Sequence, residues 1–263
     1  MRKIKLTISY DGTDYVGWQI QKNGLAVEQV INEHLSKLLN EDITIIGASR
    51  TDSGVHALGN VAAFETDTKI AAGKICLALN QSLPDDIKIV RSEEVPMQFH
   101  PRYADCLKTY QYSILNCRVA LPTIRRYADY IYYGLDADKM KEGAAYLLGE
   151  HDFIAFSSAG GQQKSSVRRI ESIDVDQEFL ANVPVEGDFR PSLIRITITG
   201  NGFLYNMVRI IAGTLERVGM GMYPPEHVKE ILDSKDRRLS AAKAPARGLT
   251  LLGIEYLKER SST

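Results

Sequence analysis

The chain begins with a regular alternation of polar and apolar positions. In residues 3 to 10, KIKLTISY, every second side chain is apolar, beginning at Ile4. A period of two places the apolar side chains on one face of a strand and the polar ones on the other. The segment therefore predicts a half-buried strand of an antiparallel sheet. Residues 107 to 116, LKTYQYSILN, alternate in the same way and predict another, with Lys108 and Tyr110 on one face.

Longer periodicities divide the rest of the chain into helices and strands. Helical spacing of apolar residues and short apolar runs predict helices at 26–40, 70–80, 136–149, 203–219 and 225–234, and strands at 43–46, 60–65, 87–95, 168–178, 193–200 and 250–257. This order lacks the steady strand-helix alternation of a doubly wound sheet. We therefore predict an α/β fold of the α+β type. We expect two similar domains, residues 1–104 and 105–263, each with a mainly antiparallel sheet and helices on one face. The active-site cleft is predicted to lie at the junction of these domains.

Composition narrows the class of protein. Of 263 residues, 44% are hydrophobic and 25% are charged, as in folded globular proteins. No apolar run is long enough for a membrane helix, and the first residues lack the apolar region of a signal peptide, so we expect a cytoplasmic protein.

The three cysteines show no Cys-x-x-Cys spacing, and the five histidines form no ligand pair. We expect reduced, buried thiols and no metal. Because the net charge is only −1, a nucleic-acid partner would need cations concentrated on one face.

A cation and a carboxylate lie close together in the largely apolar run 47–66. Arg50 precedes Asp52 by two positions, and Gly47 and Gly54 allow backbone to approach closely. A nearby arginine favours an ionised carboxylate, and a partly enclosed carboxylate is a candidate nucleophile or base. Alone, Asp-Ser-Gly is more typical of a turn. It also occurs in aspartic proteases, but Arg50 would disturb the shared proton of their carboxylate pair, and the chain has only one such motif.

Two residues of the second half carry further candidate chemistry. Arg209 lies between Val208 and Ile210 on a helix whose other residues are predicted to be buried. A buried arginine needs an anionic partner, for which Asp52 is a candidate. That pair would join the two halves of the chain and place a site at their junction. Tyr110, near Lys108, suits the stacking of a base beside a phosphate.

Six segments follow one another in an order that carries a family resemblance. They are YDGTDYVGWQIQ (10–21), SRTDSGVHALG (49–59), NQSLPDDIKI (80–89), FHPRYADCLKTYQYSI (99–114), GNGFLYNMVRIIAGTLERVG (200–219) and APARGLTLLGIEY (244–256). Together they resemble the motifs of the TruA-type tRNA pseudouridine synthases across most of the chain. Ser49 stands where many members have glycine, and a small residue there still allows the turn.

The resemblance implies an isomerase that converts uridine to pseudouridine at positions 38, 39 and 40 of the tRNA anticodon stem-loop. It implies no cofactor, no metal, and a homodimer in which one tRNA touches both subunits. It also implies a role for each matching residue: Asp52 as nucleophile, Arg50 displacing the target base, Tyr110 packing on the uracil, Arg209 pairing with the aspartate, Leu249 as an apolar wall of the pocket, and Lys164 and Arg168 as tRNA contacts. We interpret His56 and Trp18 as loop-shaping residues.

The reaction breaks the N1–C1′ bond, turns the uracil and rejoins it through C5. An aspartate can attack C1′, remove a proton to give a glycal, or add to C6, and the sequence does not choose among these routes. In each, the uridine must leave its stack. Two other functions stay open, an RNA-binding protein without catalysis and the same chemistry on other uridines. The intact Asp52, Arg50, Tyr110 and Arg209 argue against the first.

Overall fold

The computed structural model describes residues 1–161, 165–181, 183 and 189–257. The chain divides into two compact units. Unit 1 comprises Met1–Cys106 and the segment that begins at Thr250, and unit 2 comprises Leu107–Leu249. The first boundary between the units lies between Cys106 and Leu107. The end of the chain differs from the expected second domain, 105–263, because its last strand pairs within unit 1.

The described residues form ten strands and five α-helices. The strands are β1 Arg2–Tyr10, β2 Ile46–Gly47, β3 His56–Thr66, β4 Ile87–Val95, β5 Cys106–Asn116, β6 Asp129–Ile131, β7 Gly149–Asp152, β8 Val167–Phe179, β9 Ser192–Gly200 and β10 Leu249–Tyr256. The helices are α1 Val27–Leu39, α2 Ala72–Leu79, α3 Ala137–Ala145, α4 Met207–Gly219 and α5 His227–Ser234. Short 3₁₀ helices lie at Pro122–Ile124, Ile154–Phe156 and Ala246–Gly248.

In unit 1 the strand order is β4-β1-β3-β10, and β2 pairs with β3. Strand β1 is antiparallel to both neighbours, whereas β10 runs parallel to β3 with Thr250 opposite His56. The predicted alternation of β1 is confirmed, since its apolar side chains from Ile4 to Tyr10 are buried. The apolar face of α1 is buried as well, and α2 packs against β4.

In unit 2 the strand order is β5-β9-β8-β7, and all of these pairs are antiparallel. Strand β6 pairs parallel with β5. Helix α3 packs on α4 and on β8. Helix α4 is buried along almost its whole length, as its sequence predicts. Both units are therefore α/β with mainly antiparallel pairing, as predicted.

Several predicted elements are shorter than expected, and three of them have a local reason. The helix 136–149 ends at Ala145, and Gly149, with a φ of 96°, begins β7. The helix 203–219 begins only at Met207, because Asn206 has a left-handed backbone. The strand 43–46 shrinks to Ile46–Gly47, since the N–H groups of residues 43 and 45 donate to side chains of α1 instead of a neighbouring strand.

All three cysteines are buried and carry reduced thiols, as predicted. In the part of the chain that the structure describes, no helix combines the length and the apolar character that crossing a membrane requires.

Candidate active site

Two loops of unit 1 interlock around Asp52. We call residues 11–26, which follow β1, the opening loop, and residues 48–55, which lie between β2 and β3, the aspartate loop. Gly17 and Asp52 form an isolated antiparallel bridge. The Trp18 N–H donates to the Thr51 carbonyl oxygen at 3.0 Å, and Ser53 Oγ donates to the Tyr15 carbonyl oxygen at 3.1 Å. The backbone on both sides of Asp52 is therefore fixed by the opening loop.

Buried polar side chains support the aspartate loop from the sheet. The Tyr10 hydroxyl lies 2.7 Å from Thr51 Oγ1. Asn60 Nδ2 donates to the Ser49 carbonyl oxygen at 3.1 Å and to the Tyr10 hydroxyl at 3.3 Å. All four residues are buried, and buried polar groups are stable only when hydrogen-bonded. These bonds satisfy the polar groups beneath the loop and hold the loop on the sheet.

His56 ties the start of β3 to the opening loop. Its Nδ1 lies 3.1 Å from the Gly12 nitrogen and also 3.1 Å from Asp11 Oδ1. The Asp11 contact is an ion pair only if the ring is protonated, whereas the Gly12 N–H can act only as a donor. The Gly12 N–H therefore donates to His56 Nδ1, because the backbone fixes the direction of this N–H. This position fits the interpretation of His56 as a residue that shapes the loop.

The interlock depends on close backbone approach at two glycines. Gly17 has a φ of 110°, and a Cβ there would lie 2.6 Å from the Thr51 carbonyl oxygen. A Cβ on Gly47 would lie 2.3 Å from Nε1 of the fully buried Trp18. Such distances leave no space for a side chain. Trp18 therefore shapes the loop by packing, as interpreted from the sequence.

Asp52 and Arg50 differ in their exposure. Asp52 is half-buried and Arg50 is exposed. The loop thus combines a partly enclosed carboxylate with a cation that faces solvent. This arrangement can supply a nucleophile or base and can also contact an anionic ligand.

Arg102 contacts the residue that precedes the aspartate loop, and sequence reasoning did not identify this contact. Its Nε and Nη2 donate to the Gly47 carbonyl oxygen at 3.4 and 3.3 Å. The segment that carries it, FHPRYADC, resembles a family motif, which was the available signal. The contact itself spans 55 positions of the chain and has no local signature.

In unit 2, Tyr110 lies on β5 opposite Ile198 of β9 and is buried. Its ring meets Phe203 edge to face, with centroids 5.3 Å apart. Edge-to-face contact is a preferred aromatic geometry and fixes the plane of the tyrosine ring. Lys108, two positions earlier, is half-buried.

Arg209 is 9% exposed, which confirms the prediction of a buried arginine on α4. Its Nε donates to the Ala244 carbonyl oxygen at 2.8 Å, and its Nη1 donates to Asn206 Oδ1 at 3.0 Å. The Ala244 N–H in turn donates to the Arg209 carbonyl oxygen at 2.9 Å. The pairing of Arg209 with Asp52 stays a prediction.

Leu249 is buried and ends a segment that is held at two points. The Tyr112 hydroxyl donates to the Pro245 carbonyl oxygen at 2.9 Å, and Arg247 Nη2 pairs with the buried Asp129 at 2.7 Å. Burial, reinforced by nearby carboxyl groups including Asp129, raises the pKa of Tyr112, so this hydroxyl stays a neutral donor. Sequence reasoning did not identify Tyr112 or Asp129.

Of the two predicted tRNA contacts, Arg168 and Lys164, the structure describes only Arg168. Arg168 is half-buried on β8, and its Nη1 donates to the carbonyl oxygens of Ser165 at 2.9 Å and Val167 at 2.6 Å. Burial lowers the pKa of Arg168 from its ordinary value, although an arginine remains charged at neutral pH. Lys164 lies outside the described residues.

Comparison with known sequences relates nearly the whole chain to one family. A sequence model described as tRNA pseudouridine synthase matches residues 6–104 and 144–257. The tRNA pseudouridine synthase A of Ruminiclostridium cellulolyticum is 49% identical over 256 residues, and that of Thermoanaerobacter sp. (strain X514) is 45% identical over 256 residues. The tRNA pseudouridine synthase A 2 of Clostridium perfringens is 44% identical over the same length. Each comparison covers 97% of this chain and 100% of the relative. The chain therefore belongs to the tRNA pseudouridine synthase family.

Proposed function

We propose that this chain forms pseudouridine at positions 38, 39 and 40 of the tRNA anticodon stem-loop, with Asp52 as the nucleophile. As a member of its family it is an isomerase that converts uridine to pseudouridine in tRNA. The positions and the residue roles are the proposal. The observation that carries it is the interlock of the opening loop with the aspartate loop, which holds a half-buried carboxylate beside an exposed arginine.

Asp52 suits a nucleophile because its backbone is held before substrate arrives. The bridge to Gly17 and the bond from Trp18 to Thr51 fix the loop on both sides. A fixed reacting group loses little freedom when its target comes within about 3 to 3.5 Å, and this lowers the barrier. Attack at C1′, formation of a glycal and addition at C6 remain alternative routes, and each uses the Asp52 carboxylate.

Arg50 and Tyr110 supply what a displaced uridine requires. Removing a base from its stack costs a few kcal/mol, and the exposed Arg50 guanidinium can fill the vacated position and bond to neighbouring acceptors. Stacking on an aromatic ring recovers about 1 to 3 kcal/mol per base. Tyr110 takes this role toward the uracil, and its contact with Phe203 supports a fixed ring plane.

The remaining roles follow from the family motifs. Arg209 pairs with the Asp52 carboxylate, Leu249 forms an apolar wall for the uracil, and Lys164 and Arg168 contact tRNA phosphates. We further propose that the enzyme works as a homodimer in the cytoplasm without a cofactor. The burial of Arg209 and Leu249 supports their assignment to a closed pocket.

The test maps pseudouridine in tRNA from cells that lack the gene and carry one variant on a plasmid. We expect modification at positions 38 to 40 to disappear without the gene and to return with the wild type. Asp52→Asn should not restore it, because a carboxamide of equal size is not a nucleophile. The matched control is Asp85→Asn, at an exposed carboxylate paired with Lys88, which should restore modification fully.

One outcome would contradict the proposed target positions, and another would contradict the proposed nucleophile. Modification that persists at positions 38 to 40 without the gene would show that this chain acts on other uridines. An Asp52→Asn enzyme that keeps a tenth of wild-type activity would remove Asp52 as nucleophile. Binding of purified Asp52→Asn to tRNA should stay within a few-fold of wild type, which separates lost chemistry from lost affinity.

A further inference from the structure

We infer that Asn206 is a positioning residue that orients the guanidinium of Arg209 for the reaction. The inference rests on the proposed function, since it requires Arg209 to act beside the nucleophile. It is carried by hydrogen bonds within unit 2 alone.

Asn206 precedes α4 at the N-cap but does not act as a cap. An N-cap asparagine normally has an extended backbone, and its side-chain oxygen accepts from the backbone N–H of the second or third helical residue. Asn206 instead has φ 61° and ψ 9°, and its side chain makes no capping bond. Its Oδ1 accepts from Nη1 of Arg209 at 3.0 Å. Arg209 is the third helical residue, so the amide bonds the side chain of the residue whose backbone it would ordinarily cap.

The amide of Asn206 is held at both ends. Its Nδ2 lies 3.0 Å from Ser158 Oγ, and the Ser158 N–H donates to the Tyr205 carbonyl oxygen at 3.0 Å. A guanidinium can only donate, so the amide atom facing Arg209 must be the oxygen. Asn206 and Arg209 are both buried. The acceptor therefore has one direction, and it points at Arg209.

A second bond fixes the plane of the Arg209 guanidinium. Arg209 Nε donates to the Ala244 carbonyl oxygen at 2.8 Å. A guanidinium is planar and rigid, so bonds at two of its nitrogens set both its position and its plane. Ala244 provides one of these bonds from the backbone, and Asn206 provides the other through a replaceable side chain.

Helix stability does not account for this asparagine. The helix gains no cap from its side chain, and a left-handed backbone is more favourable for glycine than for any other residue. If position 206 required only a left-handed backbone, glycine would serve equally well. Non-glycine residues in such conformations cluster at functional sites, where the surrounding structure maintains them.

The experiment measures steady-state kinetics on an anticodon-arm RNA transcript for three variants. Asn206→Gly keeps the left-handed backbone and removes the amide, and we expect kcat to fall about tenfold or more while KM stays within about twofold. Asn206→Asp keeps an acceptor oxygen of the same length and should recover at least about a third of wild-type kcat. The matched control is Asn40→Gly, at a left-handed asparagine that ends α1, and it should leave kcat unchanged.

An Asn206→Gly enzyme with kcat within twofold of wild type would overturn the inference, and so would equal losses in the Gly and Asp variants, which indicate a packing role. If Asn206→Gly does not fold, Ser158→Ala tests the same point without touching the backbone at 206. It should lower kcat about threefold, and an unchanged kcat overturns the inference. A wild-type enzyme that is inactive on this transcript, in an assay that also includes Asp52→Asn, would instead contradict the proposed function.

Discussion

The Tyr10 hydroxyl lies 2.7 Å from Thr51 Oγ1, and this buried contact joins the end of β1 to the residue that precedes Asp52. Asn60 on β3 donates to the same hydroxyl at 3.3 Å. The aspartate loop is therefore bonded to side chains from two neighbouring strands of the unit 1 sheet. A change at Tyr10 should affect both the stability of unit 1 and the geometry of the nucleophile.

Tyr10→Phe removes this hydroxyl and keeps the buried ring. We expect the free energy of unfolding to fall by about 1 to 2 kcal/mol, because the variant loses buried hydrogen bonds without gaining contact with water. Urea denaturation measures this as a lower midpoint at an unchanged slope. Tyr103→Phe is the control, since Tyr103 is 78% exposed and its change should be close to neutral. Equal midpoints for both variants would show that the Tyr10 contact does not stabilise the loop.

Gly47→Ala adds only one methyl group but should lower the stability of the protein clearly. The new Cβ would lie 2.3 Å from Nε1 of the fully buried Trp18, and overpacking of this kind costs about 1 to 3 kcal/mol. Gly73→Ala is the control. Gly73 lies in α2, and a Cβ added there would have no atom within 4 Å. It should be neutral or stabilising by up to about 1 kcal/mol. Thermal unfolding compares the two, and a Gly47→Ala protein as stable as wild type would exclude close packing of Trp18 on this glycine.

Local pattern predicts elements better than it predicts their ends and partners. The alternation of β1 fixes which side chains are buried, since a strand has only two faces. The start of α4 was missed because Asn206 sits in a run of helical spacing, and only its left-handed backbone ends that run. The partner of β10 was missed because a strand's own residues do not specify a neighbour nearly 200 positions earlier in the chain.

The candidate site shows the same limit. Asp52 and Arg50 were predicted because a cation and a carboxylate two positions apart are locally unusual in a largely apolar run. The anchors were not predicted, since the bond from Arg102 to the Gly47 carbonyl exists only after distant segments have packed. A family motif names such residues without showing what they contact. Asn206 lies in such a motif, and its neighbours in sequence suggest an ordinary helix start. They give no sign of its bond to the Arg209 side chain.

Glu216 on α4 makes the stability of the protein depend on pH. Burial, reinforced by the nearby Asp129, raises the pKa of Glu216 from near 4.5 to about 8. Its Oε1 has no hydrogen-bond partner among the described residues. Between these two pKa values the folded protein holds a proton that the unfolded chain has released. The free energy of unfolding therefore falls as pH rises through this range.

Glu216→Gln removes this titration. We expect the variant to gain stability relative to wild type as pH rises from 5 to 8, by up to about 1.4 kcal/mol per pH unit, and the difference to level off above pH 8. Urea midpoints at four pH values measure it. Glu142→Gln, at an exposed position on α3, is the control and should give a difference that does not vary with pH. A Glu216→Gln difference equally flat with pH would mean that Glu216 is ionised in the folded protein.

Arg168 should contribute to tRNA affinity through its charge. We expect Arg168→Gln to weaken binding for all tRNAs alike and to reduce the slope of log K against log salt by about 0.7 to 0.9, the value for one phosphate contact. Lys164→Gln should reduce it by a similar amount. The control is Lys229→Gln on α5, an exposed cation paired with Asp233, which should leave the slope unchanged. Filter binding between 50 and 200 mM salt provides the comparison. An unchanged slope for Arg168→Gln would place the RNA path elsewhere, and an equal change in all three variants would indicate a dependence on net charge alone.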